Sequence, residues 1–430
     1  MKVSGLTAAL LLGATGALAS ATPKVGKVSY DGYKAYRIAT SGKDAAAIKD
    51  KLASFAAVQF NFDTQEHLDV AIAPEEVSAF EALSLPTTIM SEDLGAEIAT
   101  EGNFGVYEKN VSTSAAVPSL TWFDAYHAYA DHITFFNDLA ASFPQNSEIF
   151  TVGSSFQGRS IFGIHLWGSG GKGSKPAVYF HGTVHAREWI TAKVVEYITY
   201  KLLVDYSTDT AVKAILDKYD FYILPFVNPD GFVYTQSTNR LWRKNRQTRS
   251  GASCVGTDVN RNWPYKWELT GGASTNPCDE TYKGAAAGDT PENKALTNFT
   301  LSLANSKGIK LYIDWHSYGQ YILTPYGYNC QARPANQARQ NALAQGLANK
   351  IREKYGTRFT YGPACSTLYA TTGDSTDYIT DVAKAEFAWT IELRPGGSSS
   401  GNNGFVLPAA QILPSSVEQW EGMKYLLANV

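Results

Sequence analysis

Apolar and polar positions along this chain follow two periods that change at clear boundaries. In the C-terminal two-thirds, six short runs are apolar and rich in β-branched or aromatic residues. They are Ile149–Gly153, Ile161–Trp167, Ala177–Phe180, Phe221–Val227, Lys310–Trp315 and Ala388–Leu393. Each reads as a strand, and helical patterns lie between several of them, the longest running from Trp189 to about Tyr206. Thr121–Ser142 reads as a pair of helices that ends before Pro144. Strands buried on both faces and separated by helices predict an α/β domain. Its central sheet is mixed but largely parallel, with helices on both faces. Ligand sites in such sheets lie beyond the carboxyl ends of the strands.

The first hundred residues have a different rhythm. Tyr33–Ala39 alternates like a strand, and Ala45–Phe55 is helical. Val58–Phe62 and His67–Ala73 read as two more strands. Pro74-Glu75-Glu76 opens a second helix, with Pro in the first turn and acids at the positive end of the helix dipole. Thr87–Met90 is a fourth strand. The order β-α-β-β-α-β predicts a small ferredoxin-like α+β unit, and it holds no plausible catalytic cluster. Residues 109–116 are small and polar and read as an exposed linker open to proteolysis.

At the N-terminus, Lys2 precedes an apolar run, Leu6–Leu18, that closes on the small-x-small signal Ala17-Leu18-Ala19. This is the layout of a secretory signal peptide, too short to span a bilayer. The predicted division is therefore 1–19 signal peptide, 20–112 N-terminal unit with linker, and 113–430 α/β domain. A secreted, extracellular chain fits its cysteines. Cys254, Cys278, Cys330 and Cys365 show no C-x-x-C spacing, so two disulfides are expected. Three pairings are open; Cys254–Cys278 with Cys330–Cys365 is preferred because each closes a modest loop. Asn110 and Asn298 head N-glycosylation sequons and predict exposed loops. The 430 residues are 44% hydrophobic and 18% charged, with a net charge of −3. That balance argues against a nucleic-acid or membrane-surface partner.

Candidate chemistry gathers at the predicted strand ends. His185 and Glu188 lie three residues apart at a strand-to-helix turn, and His316 follows a later strand. Two imidazoles and one carboxylate are the donor set of a catalytic zinc site that keeps one position for water. Glu392, near the end of the last apolar run, is a candidate general base; the competing reading is a salt bridge to Arg394. Asp258 can orient a ligand histidine from behind. His181 lies too close to His185, on a turn, to share a face with it. Asn239–Arg246 carries Arg240, Arg243 and Lys244, and reads equally as a solvated face or as a cationic wall. Asn260-Arg261 adds an amide and a guanidinium suited to a carboxylate.

Five motifs now stand in order: His185-x-x-Glu188, Asn239-Arg240-Leu241-Trp242-Arg243-Lys244, Asp258-Val259-Asn260-Arg261-Asn262-Trp263, His316-Ser317-Tyr318 and Glu392-Leu393-Arg394. The set resembles the funnelin zinc metallocarboxypeptidases of the A/B group, and the resemblance covers most of the chain. It implies one Zn²⁺ held by His185, Glu188 and His316, with Glu392 as general base. It further implies that Arg243 stabilises the oxyanion, and that Asn260 and Arg261 hold the substrate's C-terminal carboxylate. Tyr369 would close over the bound residue, Arg187 and Arg240 would contact upstream residues or the transition state, and Cys254–Cys278 would be the family's common disulfide. The substrate would be a peptide or protein C-terminus and the enzyme a monomer. The N-terminal unit would be a pro-domain that inhibits until the linker is cut. By the same resemblance, Thr376 would form the floor of the side-chain pocket, with Ala364, Gly327 and Thr390 lining it. These small, uncharged residues imply a preference for C-terminal aromatic and large aliphatic residues; Asp374, turned inward, would admit basic ones. Two segments depart from the animal enzymes: Tyr369 to Glu392 is one residue longer, and the Gly/Ser-rich loop after Arg394 is extended.

Overall fold

The computed structural model describes residues 26–40, 45–62, 66–107, 117–396 and 404–430. The expected signal peptide at 1–19, the Asn110 sequon, the linker at 109–116 and the Gly/Ser-rich loop at 397–403 lie outside the described residues.

Residues 26–107 build the expected small unit. Strands β1 (Lys34–Ala39), β2 (Val58–Gln59), β3 (His67–Ile72) and β4 (Thr87–Ser91) form one sheet in the order β2-β3-β1-β4. Every pairing in it is antiparallel. Helices Ala45–Leu52 and Val77–Glu81 supply the two crossovers. Val58–Phe62 was expected as one strand, but β2 ends at Gln59; the Phe60 N–H still donates to the Asp69 carbonyl at 2.9 Å, and Phe60 to Phe62 run on into the cleft described below. A further helix, Leu94–Glu101, follows β4 and is capped by the Asp93 carboxylate on the Ala96 N–H.

One face of this small sheet packs on its own helices, with Tyr36, Ile38, Ile48, Leu68, Val70 and Phe80 in that core. The other face does not cover itself. Ala35, Phe60, Ala71 and Met90 pack instead with Leu241, Phe405 and Val406 of the larger unit. A sheet with two apolar faces needs a second layer on each side, and here the second layer is the α/β domain.

In that domain, β5 (Ser147–Ser154), β6 (Ser160–Leu166), β7 (Ala177–His181), β8 (Asp220–Leu224), β9 (Ile309–Gly319), β10 (Tyr321–Thr324), β11 (Thr360–Pro363) and β12 (Phe387–Gly396) make one sheet. Its order is β11-β10-β12-β9-β7-β8-β6-β5. The centre, β12-β9-β7-β8, is parallel, whereas β5, β6 and the β10–β12 pairing are antiparallel. Helices cover both faces as expected. Trp189–Val204, Gln337–Tyr355 and Ile412–Asn429 pack on one face with Trp315, Trp389 and Leu393. Pro291–Ser306 and Ser375–Asp381 pack on the other with Tyr179, Tyr312 and Ala388.

Strand periodicity then places the chemistry. Phe387, Trp389, Ile391 and Leu393 point to the first face, so Ala388, Thr390 and Glu392 point to the second. On β9, Leu311, Ile313 and Trp315 take the first face, and Asp314 and His316 the second. The strands run further than the sequence pattern suggests, because β9 and β12 stay paired beyond the apolar core. His316 therefore lies within its strand rather than after it, and Glu392 lies well inside β12 rather than near its end. Both expected disulfides are present, Cys254–Cys278 and Cys330–Cys365. Asn298 is exposed, but on the helix Pro291–Ser306 rather than in a loop, and Thr300 of its sequon is buried. No helix among the described residues is long and apolar enough to cross a membrane.

Candidate metal and substrate site

The strand β7 ends at His181, and seven residues of loop lead to the N-terminus of the helix Trp189–Val204. That helix is buried nearly all round, so it is a rigid support for the turn that carries His185 and Glu188. The Nδ1 atom of His185 lies 2.9 Å from Glu188 Oε1. The Nδ1 atom of His316 lies 3.1 Å from His185 Nδ1 and 3.2 Å from Glu188 Oε2. One donor atom from each residue thus converges on a single point. Tetrahedral zinc with ligands at about 2.0–2.1 Å would hold such atoms roughly 3.3 Å apart. The donor set and its spacing fit that ion.

The far side of each imidazole faces a carboxylate. His185 Nε2 lies 3.3 Å from Asp258 Oδ1, and His316 Nε2 lies 3.1 Å from Asp314 Oδ2. A proton on each Nε2 leaves the Nδ1 lone pair for a metal. Asp258 was expected in this role. Asp314 was missed, although Asp314-Trp315-His316 on a strand places the acid and the ligand on one face. Burial alone would lower the His316 pKa, yet Asp314 and Glu188 hold it well above the usual range. The same negative field favours a cation between the rings. His181 takes no part: it bonds Tyr179 and Tyr312, and burial lowers its pKa to about 4.

Glu392 sits beside His316 in the parallel register of β12 and β9, and its side chain lines the metal pocket. It does not pair with Arg394, whose guanidinium goes to Glu418, Gln411 and Thr357. Burial pushes the Glu392 carboxyl up to about 8, against the opposing pull of His316 and Arg243. A dication in the adjacent triad would lower it.

The cationic segment is a wall of the cleft, not a solvated face. Arg240, Arg243 and Lys244 are all buried. Arg243 is held by Asp258 Oδ2, at 2.8 Å from Nη2 and 3.2 Å from Nε. Asp258 in turn caps the short helical turn Val259–Arg261 through the Asn260 N–H. The Asn260 side-chain oxygen accepts from the Ser375 N–H at 2.9 Å, so its amino group faces His316 at 3.4 Å. Arg261 is anchored on the carbonyls of Gly272 and Asn260, and its Nη2 comes within 3.5 Å of the Tyr369 hydroxyl. Thr376 and Thr390 join hydroxyls at 2.9 Å on the pocket wall. At Gly327 a Cβ would fall 2.0 Å from Thr371 Oγ1, so any larger residue would displace that side chain. Both oxygens of Asp374 are engaged, one by the Asp377 N–H at 2.9 Å and the other by Thr371 Oγ1 at 2.7 Å.

The N-terminal unit closes this cleft. Phe60, Asn61, Phe62 and His67 line the same pocket as the triad. The Phe60 carbonyl accepts from Arg187 Nη2 at 3.1 Å, and the Phe62 ring lies 5.0 Å from the Arg243 guanidinium. Tyr318 donates to Asp69 at 2.6 Å. Arg240 forms a two-point pair with Glu101 at 2.5 and 2.8 Å, both residues being about 2% exposed at the side chain. With that unit in place, about 100 Å³ of space remains, well short of the roughly 300 Å³ at which ligand pockets begin.

Comparison with known proteins agrees with the site. Residues 132–422 match the zinc carboxypeptidase family. A metallocarboxypeptidase A-like protein of Trichophyton verrucosum is 45% identical over 431 residues, covering 99% of each chain. The crystal structure of thrombin-activatable fibrinolysis inhibitor superposes with a TM-score of 0.83 at 25% identity, covering 93% of this chain and 99% of the other. Carboxypeptidase A from Helicoverpa armigera gives 0.78 at 27% identity, covering 93% and 98%. The converging His-Glu-His donors, the mixed sheet that carries them and these matches together show that the chain belongs to the zinc carboxypeptidases, hydrolases that use one zinc ion.

Proposed function

We propose that this protein is a secreted zymogen of an A-type carboxypeptidase, which removes aromatic and large aliphatic residues from peptide C-termini once its N-terminal unit is cut away. The observation that carries the reading is the arrangement around the triad: an uncommitted carboxylate on one side, and an amide–guanidinium pair on the other. Zinc held by His185, Glu188 and His316 would supply the Lewis acidity that acidifies a water and polarises the scissile carbonyl. Glu392 is placed to take a proton from the attacking water and pass it to the departing amine. Arg243 lies against Asp258 and can turn a donor toward the developing oxyanion. Asn260 and Arg261 receive the terminal carboxylate, and Tyr369, already beside Arg261, closes the pocket over it.

Specificity follows from the pocket lining. Thr376, Thr390, Ala364 and Gly327 carry no charge. Asp374 lines the same pocket, but one oxygen caps the helix Ser375–Asp381 and the other accepts from the Thr371 hydroxyl, which weakens its pull on a basic substrate side chain. Burying a large apolar side chain contributes about 1.5–3 kcal/mol, so peptides ending in Phe should exceed matched peptides ending in Lys by roughly 10- to 100-fold in kcat/KM. Steady-state hydrolysis by the trimmed enzyme checks this. Faster release of Lys would show that Asp374 turns inward and would overturn the A-type assignment.

Secretion is supported by the Lys2–Ala19 signal layout and the two disulfides. Inhibition by the N-terminal unit is supported by Phe60 to Phe62 in the cleft.

A further inference from the structure

A second cavity, of about 580 Å³, lies between the N-terminal unit and the α/β domain. Residues 60–62 line the metal pocket, and residues 57–59 with Phe62 line this cavity. The N-terminal unit thus threads an extended chain from the metal site outward. Arg187 stands at the junction. It is 1% exposed, and its Nη2 holds the Phe60 carbonyl as it would hold a substrate carbonyl. Its Nη1 is fixed by the Leu241 carbonyl at 3.3 Å, and its face lies on Phe405 at 4.0 Å. The Arg187 Nε–H has no partner among the described residues.

On the far wall lie Asp279 and Glu280. Asp279 is occupied: it accepts from Ser274 at 2.6 Å and Asn276 at 2.9 Å. Lys244, the nearby cation, is turned to the Pro277 carbonyl at 2.7 Å. Glu280 is different. Its side chain is 32% exposed; among the described residues its Oε2 accepts no hydrogen bond and its one ion-pair contact is Arg187 Nη1 at 3.6 Å. The N-terminal unit presents Lys49 to the same cavity, a basic side chain opposite an acid that is not hydrogen-bonded.

We infer that Glu280 is the anionic wall of an upstream subsite, which selects a Lys or Arg side chain two residues before the scissile bond. The inference rests on the exopeptidase reading above and extends it from the released residue to the residues left behind. When the N-terminal unit departs, its chain at 57–62 vacates the groove, and a substrate takes the same path past Arg187. A partly exposed charge pair of this kind is expected to give a modest preference, about three- to tenfold in kcat/KM.

The test uses trimmed full-chain enzyme and acylated tripeptides X-Gly-Phe, where X is Lys, Ala or Glu. Wild type should favour Lys over Ala, and Ala over Glu, with the Lys/Ala ratio falling as ionic strength rises. In Glu280→Gln the ratio should fall to about one. In Glu280→Lys the order should reverse, which a purely structural role would not produce. A wild-type ratio near one, or a Lys preference that survives Glu280→Gln, would overturn the inference. Failure of wild type to hydrolyse even the Ala peptide would instead overturn the exopeptidase reading, and this subsite with it.

Discussion

Glu392→Gln is expected to lower kcat/KM by about 10²–10⁴-fold while zinc stays at one per chain. The range is that of a positioned general base. Gln keeps the shape and a hydrogen-bonding oxygen but cannot accept the proton. Glu392 is not one of the three converging donors, and its neighbour across the sheet is His316 by strand register. Metal content should therefore be preserved, which separates loss of the base from loss of the site. Metal analysis and single-turnover kinetics on the same trimmed preparation make the comparison. Turnover within a few-fold of wild type would remove Glu392 from the mechanism.

The second large effect is latency. The intact chain should show less than about one-hundredth of the peptidase activity of the trimmed chain. A tethered unit has an effective concentration of about 1 mM, so micromolar docking already leaves under about 1% open. The contacts support docking of that order. The small sheet buries its second face on Leu241, Phe405 and Val406, and Glu101 pairs with Arg240 in a dry site. Removing one partner of a buried ion pair costs about 3–5 kcal/mol, so Glu101→Ala should raise the activity of the intact chain by more than about 100-fold. Cutting within residues 108–116 makes variant and wild type the same enzyme, an internal control. Equal activity before and after cutting would sink the latency claim.

The parts of the fold most legible in sequence were those whose side chains alternate against a core. The strand Phe387–Gly396 shows its period directly, and that period puts Glu392 on the face of His316. The strands β10 and β11 were not legible. Each is four residues long, and β11 contains Gly362 and Pro363, which read as turn residues. The zinc triad was legible because His185 and Glu188 lie three residues apart at a strand-to-helix turn and His316 stands at the end of a later apolar run. The burial of Arg240 was not, because its partner comes from far away: Glu101 is 139 residues from it. Asp314 was readable from its two-residue offset to His316, but an acid inside an apolar run carries no mark of the histidine it supports. Glu280 had no signal in sequence, since its meaning depends on where the Phe60 segment lies.

The proposed carboxylate clamp recognises a chain end. The most direct measurement is product analysis by mass spectrometry for two peptides of identical sequence ending in Phe, one with a free C-terminal carboxylate and one amidated, incubated with trimmed enzyme and zinc. The structure predicts release of the terminal Phe from the free acid and little or none from the amide, because Asn260 and Arg261 then have no carboxylate to hold. Equal hydrolysis of both peptides, or cleavage at internal bonds, would contradict it.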